Sequence, residues 1–377
     1  MEIKLDWKAS TQPPMQTQSR ISNLKKQMQE INCPALIVTN LANIFYLTGF
    51  SGSAAMLGIF EDEVVFVTDG RYRFQSEQEL HEASVKARIE IGGPKLQLET
   101  LAKAAKSQKV IGLEADHISW SLYDKLQKEI FPDSNLIPTS QLVERLRKKK
   151  DSGELWRISQ ACQIADKALK QVSPMLFQGI SELDFASALD YQMRSFGASA
   201  IAFDTIVAAG PNGAKPHAKP TERIIEPGEL IVIDFGATYM GYRSDMTRTL
   251  CIGEPKDPML KKMFEVVQDS QNAGLQAVRP GIEAQDVDKA SRDVIAEAGW
   301  EKAFMHSTGH GVGIDIHEAP GVSQNCTDIL ESGFVITVEP GVYLENLGGV
   351  RIEDTVVVTD QGFEFLTQYP KELIIQS

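Results

Sequence analysis

The sequence predicts two domains: an α/β N-terminal domain, then an α+β C-terminal domain built on an internal repeat with pseudo-two-fold symmetry. Three observations carry this. The chain has 377 residues, enough for two separate cores at roughly 100–200 residues per domain. Its first third alternates short apolar runs with stretches of helical spacing. Its C-terminal part carries one helix–strand unit twice.

Taken in order, residues 1–18 are polar and read as a flexible arm. The first domain follows over 19–150. Apolar runs at 35–39, 54–60, 63–68 and 109–114 have strand length and turn-rich flanks. Residues 19–30 and 119–130 have helical spacing, with Ser119 as an N-cap. Gly49-Phe-Ser-Gly-Ser53 lacks both the P-loop lysine and the G-x-G-x-x-G spacing, so it reads as a turn. The basic run Arg145-Leu-Arg-Lys-Lys-Lys150 reads as a solvated helix end whose cations complement the dipole. Asp151 or Ser152 then caps a long amphipathic helix reaching about Met175, which opens the second domain over 151–377.

Within that domain, Gly179-Ile-Ser-Glu-Leu-Asp184 opens a helix ending at Gly197, and Gly281-Ile-Glu-Ala-Gln-Asp286 opens another, 102 residues on, ending at Gly299. The strand Gly228-Glu-Leu-Ile-Val-Ile-Asp-Phe-Gly236 parallels Gly333-Phe-Val-Ile-Thr-Val-Glu-Pro-Gly341, 105 residues on. Each apolar strand ends in a carboxylate beside a glycine. Two such units packed about a pseudo-two-fold axis would bring their acidic strand ends together.

Composition narrows the function classes. The net charge is −13, from 38 Lys+Arg against 51 Asp+Glu, and a surface that negative repels phosphate backbones and anionic lipid. Nucleic acid and membrane are therefore not expected partners. Cys33, Cys162, Cys251 and Cys326 stand alone without C-x-x-C spacing, which argues against a zinc ribbon, a thioredoxin-like site or a disulfide framework. No apolar stretch reaches membrane-spanning length and the N-terminus lacks a signal-peptide core, so a cytoplasmic protein is expected.

The chemistry lies in the acidic strand ends. Folding 231–250 as a hairpin with its turn between Tyr239 and Met240 sets Asp234 opposite Asp245. Like charges so placed repel, and a divalent cation between them is the simplest compensation. The alternative is that one aspartate faces solvent and the other caps a turn. Glu339 and Glu353 repeat the pattern about a midpoint at Asn346, with Pro340 loosening the register. Four carboxylates could not share one site without more than one cation. Of six histidines, His217, His306, His310 and His317 fall among these strands, while His81 and His117 lie in the other domain and read as structural or surface residues. The expected ligands are Asp234, Asp245, His310, Glu339 and Glu353. Carboxylates favour Mn²⁺, and the imidazole admits Co²⁺, Fe²⁺ or Zn²⁺. Two metal ions bridged by carboxylates activate water for hydrolysis.

The stretch His306-Ser-Thr-Gly-His-Gly-Val-Gly-Ile-Asp-Ile-His-Glu318 resembles the signature of the proline-specific metallopeptidases of the pita-bread fold. Asp-Phe-Gly, Ser-Asp-Met-Thr-Arg-Thr, Thr-Val-Glu-Pro-Gly and Arg-Ile-Glu-Asp match the same family in order and spacing. Asn43-Ile-Phe-Tyr-Leu-Thr-Gly-Phe and Thr68-Asp-Gly-Arg-Tyr resemble its creatinase-like N-terminal domain, so the likeness spans about residues 19–377. The resemblance implies that Asp234 is a bidentate ligand of one metal, that His310 binds the other and that Asp245 and Glu353 bridge. It implies that Glu339 both ligates and acts as general base. His217 and His317 would contact the substrate and stabilise the tetrahedral intermediate. Arg351 would orient a ligand carboxylate, or form an ordinary cross-strand ion pair, and Tyr242 would line the site.

Within this family, methionine aminopeptidases usually lack an N-terminal domain like the one expected here, and creatinase lacks the metal set. Some prolidases resembling this chain carry an arginine just after His-Glu-x-Pro to hold the substrate carboxylate. Here His317-Glu-Ala-Pro320 is followed by Gly321. The reading is an aminopeptidase releasing Xaa from peptides with proline second, with an Xaa-Pro dipeptidase as the alternative and a non-catalytic binding module further off. The resemblance also implies a homodimer whose N-terminal domain limits access to short peptides.

Overall fold

The computed structural model describes Lys8 and residues 11–375. Of the expected arm, residues 1–7, 9 and 10 lie outside the described residues. Backbone contacts divide the chain into two compact units that meet at Arg147 and Lys148.

The N-terminal unit runs from Pro14 to Arg147. Its helices are α1 (Thr17–Glu30), α2 (Leu41–Thr48), α3 (Arg73–Glu82), α4 (Pro94–Ala104), α5 (Trp120–Lys125) and α6 (Leu142–Arg147). Its strands are β1 (Leu36–Val38), β2 (Ala55–Ile59), β3 (Val64–Thr68), β4 (Arg88–Ile91), β5 (Val110–Glu114) and β6 (Asn135–Thr139), forming one sheet ordered β4-β3-β2-β1-β5-β6. The four expected apolar runs are the four inner strands. The two edge strands carry weaker signals: β4 places Arg88 and Glu90 among its four residues, and β6 contains Pro138, tolerated at an edge. Ser119 caps α5 by accepting from Leu122 N.

The basic run does close α6, with Arg145 and Lys149 exposed, but it is only partly solvated. Arg147 and Lys150 are buried, and Lys148, Lys149 and Lys150 pair with Asp328 (2.7 Å), Glu331 (3.5 Å) and Glu318 (3.1 Å). Three successive cations each meet a carboxylate of the second unit, which is why that unit begins at Lys148 rather than at Asp151.

The second unit contains α7 (Ser152–Val172), α8 (Glu182–Ser195), β7 (Ala200–Ile201), β8 (Ile206–Ala209), β9 (Leu230–Phe235), β10 (Ala237–Tyr239), β11 (Tyr242–Arg243) and β12 (Met246–Ile252). It continues with α9 (Pro258–Ala277), α10 (Ala284–Glu297), β13 (Gly309–Gly311), β14 (Glu318–Val322), β15 (Val335–Val338), β16 (Gly341–Leu344), β17 (Gly348–Arg351), β18 (Asp354–Thr359), β19 (Gly362–Phe365) and β20 (Ile374–Ile375). A capping box between Asp151 and Glu154 starts α7.

The repeat is real at the level of single hydrogen bonds. An isolated bridge Ser181–Ile224 enters α8, and Glu283–Ile329 enters α10. Ile225 N donates to Ile180 O and Leu330 N to Ile282 O; Glu182 N donates to Arg223 O and Ala284 N to Asp328 O. Sheet β20-β12-β9-β8 in the first half answers sheet β14-β13-β15-β18-β19 in the second. Helices α7 and α8 pack Leu169, Phe185 and Leu189 on Ile231, Ile233 and Phe235 of β9. Leu275 and Val287 of α9 and α10 meet Ile336 and Val338 of β15. Each half buries an apolar helix face on an apolar strand and leaves the strand's acidic end free.

Candidate metal centre

The first hairpin differs from expectation by one turn position. Met240 (φ 48°) and Gly241 (φ 81°) form the turn between Tyr239 and Tyr242, where a hairpin turn with two positive φ values favours a glycine second. The register therefore sets Asp234 opposite Thr247, not opposite Asp245. The slip is two residues, so the parity survives and Asp245 stays on the same face as Thr247. One oxygen from each of Asp234, Asp245 and Glu353 lies within 4.8 Å of the others.

The second hairpin has the expected register. Val338 pairs with Asp354 and Gly341 with Arg351, which places Glu339 across from Glu353 about a turn centred on Asn346 (φ 64°). At Pro340 the chain leaves one sheet and enters another. Glu339 N turns outward to Thr308 O (2.7 Å), and Glu353 N donates to Thr247 O (3.1 Å), stitching the two halves together.

His310 joins from β13. Cβ atoms added at Gly309 and Gly311 would fall 2.1 Å from Thr337 O and 2.5 Å from Ala319 O, so both flanks of His310 press against neighbouring backbone. The imidazole Nδ1 lies 3.0 Å from Gly311 O. Assigning the proton there leaves Nε2 facing Glu339 Oε1 at 3.2 Å and Asp245 Oδ2 at 3.5 Å.

Burial pushes the Asp245 carboxyl well above its usual range, and the charge of Glu353 adds to this. Burial, then Glu339 and Asp234, do the same to Glu353. Burial also raises Asp234, against the pull of Arg351. Glu339 moves the other way: burial opposes its ionisation, but the hydrogen bond and charge of His310 outweigh this and bring it down to about 2. Asp234 Oδ1 and Glu353 Oε1 are buried without any hydrogen-bond partner. Orphaned carboxylate oxygens, converging in a space where carboxyl groups resist ionisation together, fit divalent cations held by oxygen donors and one imidazole.

A cavity of about 470 Å³ opens over these side chains, lined by His217, His306, His317, Phe203, Ile316 and Lys219 among others. The His310 and His317 rings meet edge to face, with centroids 4.4 Å apart. Burial and then the neighbouring His310 lower the His317 pKa, favouring the neutral ring. Arg351 is fully committed: it reaches Asp234 Oδ2 (2.6 Å), Tyr343 Oη (2.7 Å), Thr247 Oγ1 (3.1 Å) and Pro216 O (3.2 Å). Tyr242 does not line the cavity; it is buried and its hydroxyl donates to Glu154 Oε1 at 3.0 Å, because the two-residue slip places it at the turn beneath α7.

Four participants had no role legible in the sequence, although His306 counted among the clustered histidines. Thr247 Oγ1 donates to Glu353 Oε2 (2.7 Å), and Tyr343 Oη lies 2.9 Å from His306 Nε2. Thr247 stands two residues from Asp245, the spacing that keeps side chains on one strand face, whereas Tyr343 lies past Pro340 in the next sheet and His306 in a bend before β13, so no strand spacing marks them. The fourth, Glu182, is fully buried and accepts from Ala209 N, Asn212 Nδ2 and both the N and Oγ1 of Thr221, bracing the segment that carries His217. An acid in a first helical turn signals only dipole complementarity, so Glu182 had no distinguishing mark.

A duplicated helix-and-hairpin unit with carboxylates and a histidine at its strand ends, preceded by an α/β unit, defines a metallopeptidase of the pita-bread fold. The chain belongs to metallopeptidase family M24, whose model matches residues 157–360, and residues 20–149 match the creatinase/prolidase N-terminal domain. It is 38% identical to an uncharacterized peptidase, YqhT, of Bacillus subtilis over 94% of this chain and 99% of that one. It is 34% identical to an Xaa-Pro dipeptidase of Pyrococcus furiosus, over 94% and 99% respectively. Among solved structures, an Xaa-Pro dipeptidase from Bacillus anthracis superposes with a TM-score of 0.90 at 38% identity, covering 96% of this chain and 100% of that one. An X-Pro aminopeptidase from Thermotoga maritima superposes with a TM-score of 0.83 at 35% identity, covering 93% and 100%. Among the described residues no helix is long and apolar enough to cross a membrane.

Proposed function

We propose that this chain is an aminopeptidase that hydrolyses the Xaa-Pro bond at the N-terminus of short peptides, using two divalent ions held by Asp234, Asp245, His310, Glu339 and Glu353. The observation that carries the reading is that Asp234, Asp245, His310 and Glu339 line a peptide-sized cavity, with Glu353 gathered against Asp234 and Asp245, and that Asp234 and Glu353 each keep an unpartnered buried oxygen. Bound divalent cations supply an activated water and polarise the scissile carbonyl. With so many carboxylate donors Mn²⁺ is the first candidate, ahead of Co²⁺, Zn²⁺ or Fe²⁺.

The residues do the rest. The bond before proline is a tertiary amide, so its nitrogen must gain a proton as it leaves. Glu339 takes a proton at its carboxylate from the attacking water and delivers it to that nitrogen. His317, held towards its neutral form by partial desolvation and the neighbouring His310, and His217 offer N–H donors to the oxygen that gains charge. Arg351 holds Asp234 in place, and Phe203, Ile206 and Ile316 give the pyrrolidine ring an apolar wall.

Gly321 pairs with His310 in β14, so no side-chain cation stands there to hold a terminal proline carboxylate. This supports the aminopeptidase reading. One observation favours a dipeptidase instead: the exposed Lys219 also lines the cavity, as a cation that Arg351, already engaged, could not replace. The test is product analysis with Mn²⁺-loaded protein. Free Ala and Pro-Ala from Ala-Pro-Ala establish the aminopeptidase; cleavage of Ala-Pro with Ala-Pro-Ala left intact establishes the dipeptidase. The same reading carries a cytoplasmic protein and a homodimer; light scattering of the purified protein checks the dimer, and cell fractionation the location.

A further inference from the structure

Lys150 and Glu318 form an ion pair at 3.1 Å with side chains only 1% and 6% exposed. Two charges buried this deeply add little net stability, because their desolvation offsets most of their attraction. Their surroundings indicate a different use. The second Glu318 oxygen, Oε1, accepts from Asp315 N at 3.0 Å. The chain between β13 and β14 is thus wound around one carboxylate, and a Cβ added at Gly313 would fall 2.6 Å from Glu318 Oε2. Arg243 N closes the loop's outer side by donating to Gly313 O at 2.8 Å. Ile316 and His317, carried at the loop's end, face the cavity.

Lys150 is itself a fixed point. Its N donates to Gly333 O at 2.9 Å, on the chain leading into β15, and the next residue, Asp151, belongs to the capping box of α7. A cation anchored to a helix start and a strand start therefore grips a carboxylate that organises the loop bearing His317.

We propose that the Lys150–Glu318 pair is the positioning element that sets His317 over the metal centre. This rests on the reading of His317 as a group that acts on the peptide carbonyl. Lys150 and Glu318 touch neither substrate nor ligand; they act through the Asp315 N–H and the loop it fixes.

Two double variants separate geometry from stability. K150M/E318L fills the space with apolar groups but offers no acceptor to Asp315 N. K150M/E318Q is also neutral yet keeps an amide oxygen for that bond. Both are assayed on Ala-Pro-Ala with Mn²⁺ for kcat and KM, and for metal content. Independently of activity, the His317 ring is followed by NMR of histidine-labelled protein loaded with diamagnetic Zn²⁺ in place of paramagnetic Mn²⁺, its signal assigned by loss in His317→Gln. K150M/E318L is expected to fold with full metal content, a displaced His317 signal and kcat lowered on the order of tenfold to a hundredfold, the scale of a misplaced catalytic group, with KM little changed. K150M/E318Q is expected to recover kcat to within about threefold of wild type, with the His317 signal in place, because the acceptor is restored. Wild-type kcat and an unmoved signal in K150M/E318L would overturn the proposal. So would loss of kcat and a displaced signal in a folded K150M/E318Q, which still decides should the leucine variant fail to fold. If wild type cleaves no Xaa-Pro peptide, the functional reading fails, while the NMR signal alone still decides whether the pair positions His317.

Discussion

Thr247 donates its hydroxyl to Glu353 Oε2 at 2.7 Å, joining the first half of the repeat to the second at the floor of the site. The Thr247 hydroxyl oxygen in turn accepts from Arg351 Nε at 3.1 Å. Thr247 therefore holds one oxygen of Glu353 and leaves Oε1, which has no partner, free for a cation. Thr247→Val keeps the shape and removes both bonds. Mn²⁺ affinity should fall about 10–100-fold, the range seen when a bond that orients a metal ligand is lost. Titration calorimetry of metal-free protein measures this. Unchanged affinity would mean that Glu353 is placed by its backbone alone.

Asp245 and Glu353 set the sign of the metal-free protein's response to pH. Burial raises both carboxyl groups, and their neighbours' charges raise them further. The native state then binds protons more tightly than the unfolded chain, so their contribution to stability is greatest in acid and is lost as pH rises from the ordinary carboxylate range through the raised native values. Metal-free protein should therefore lose Tm over that interval, and Mn²⁺ should restore it at neutral pH by binding only the folded site. Asp245→Asn relieves the repulsion. It should raise the metal-free Tm at pH 7 by a few degrees, at about 2–4 °C per kcal/mol for a unit of this size, and blunt the metal-induced rise. A metal-free Asp245→Asn protein less stable than wild type at pH 7 would refute this account.

Where the fold was legible, the information was periodic. The inner strands of the first unit are short apolar runs, and the repeat shows in glycine-flanked helix starts 102 residues apart. The first hairpin's register was not legible because a turn centre one position away fits the same apolar alternation; only the positive φ at Met240 and Gly241 decides it. The site survived the error because a two-residue slip leaves Asp234 and Asp245 on one face. The basic run was misread for a different reason. Lys148, Lys149 and Lys150 find Asp328, Glu331 and Glu318 more than 160 residues away, and no local pattern records such partners.

His310 and His317 sit ring against ring, yet only His310 lies within reach of the carboxylates. His310→Ala should lose metal as well as turnover. His317→Ala should keep near-normal metal content while kcat falls on the order of 10²–10³-fold, the usual scale for a single donor to a developing oxyanion. Metal analysis of the two purified variants beside their kcat values separates the roles. Metal loss from His317→Ala would move that ring among the ligands.

Arg351 and Tyr343 form the back wall of Asp234, and they do not contribute equally. Arg351 spends four bonds on Asp234, Tyr343, Thr247 and Pro216. Burial pushes the Tyr343 hydroxyl up to about 12, so it stays protonated. It can then accept from Arg351 and donate to His306, whose Nδ1 faces Ser307 O at 2.8 Å. Removing that hydroxyl leaves Arg351 three partners, so Tyr343→Phe should lower kcat by about tenfold or less, near the value of one buried hydrogen bond. Arg351→Lys keeps the charge but cannot reproduce a planar fork, and it leaves Asp234 without its fixed partner. It should lower both kcat and Mn²⁺ affinity by more than Tyr343→Phe does. Steady-state kinetics and metal titration of the two variants give the order. If Tyr343→Phe proves the more damaging, the hydroxyl acts on the substrate directly rather than through Arg351.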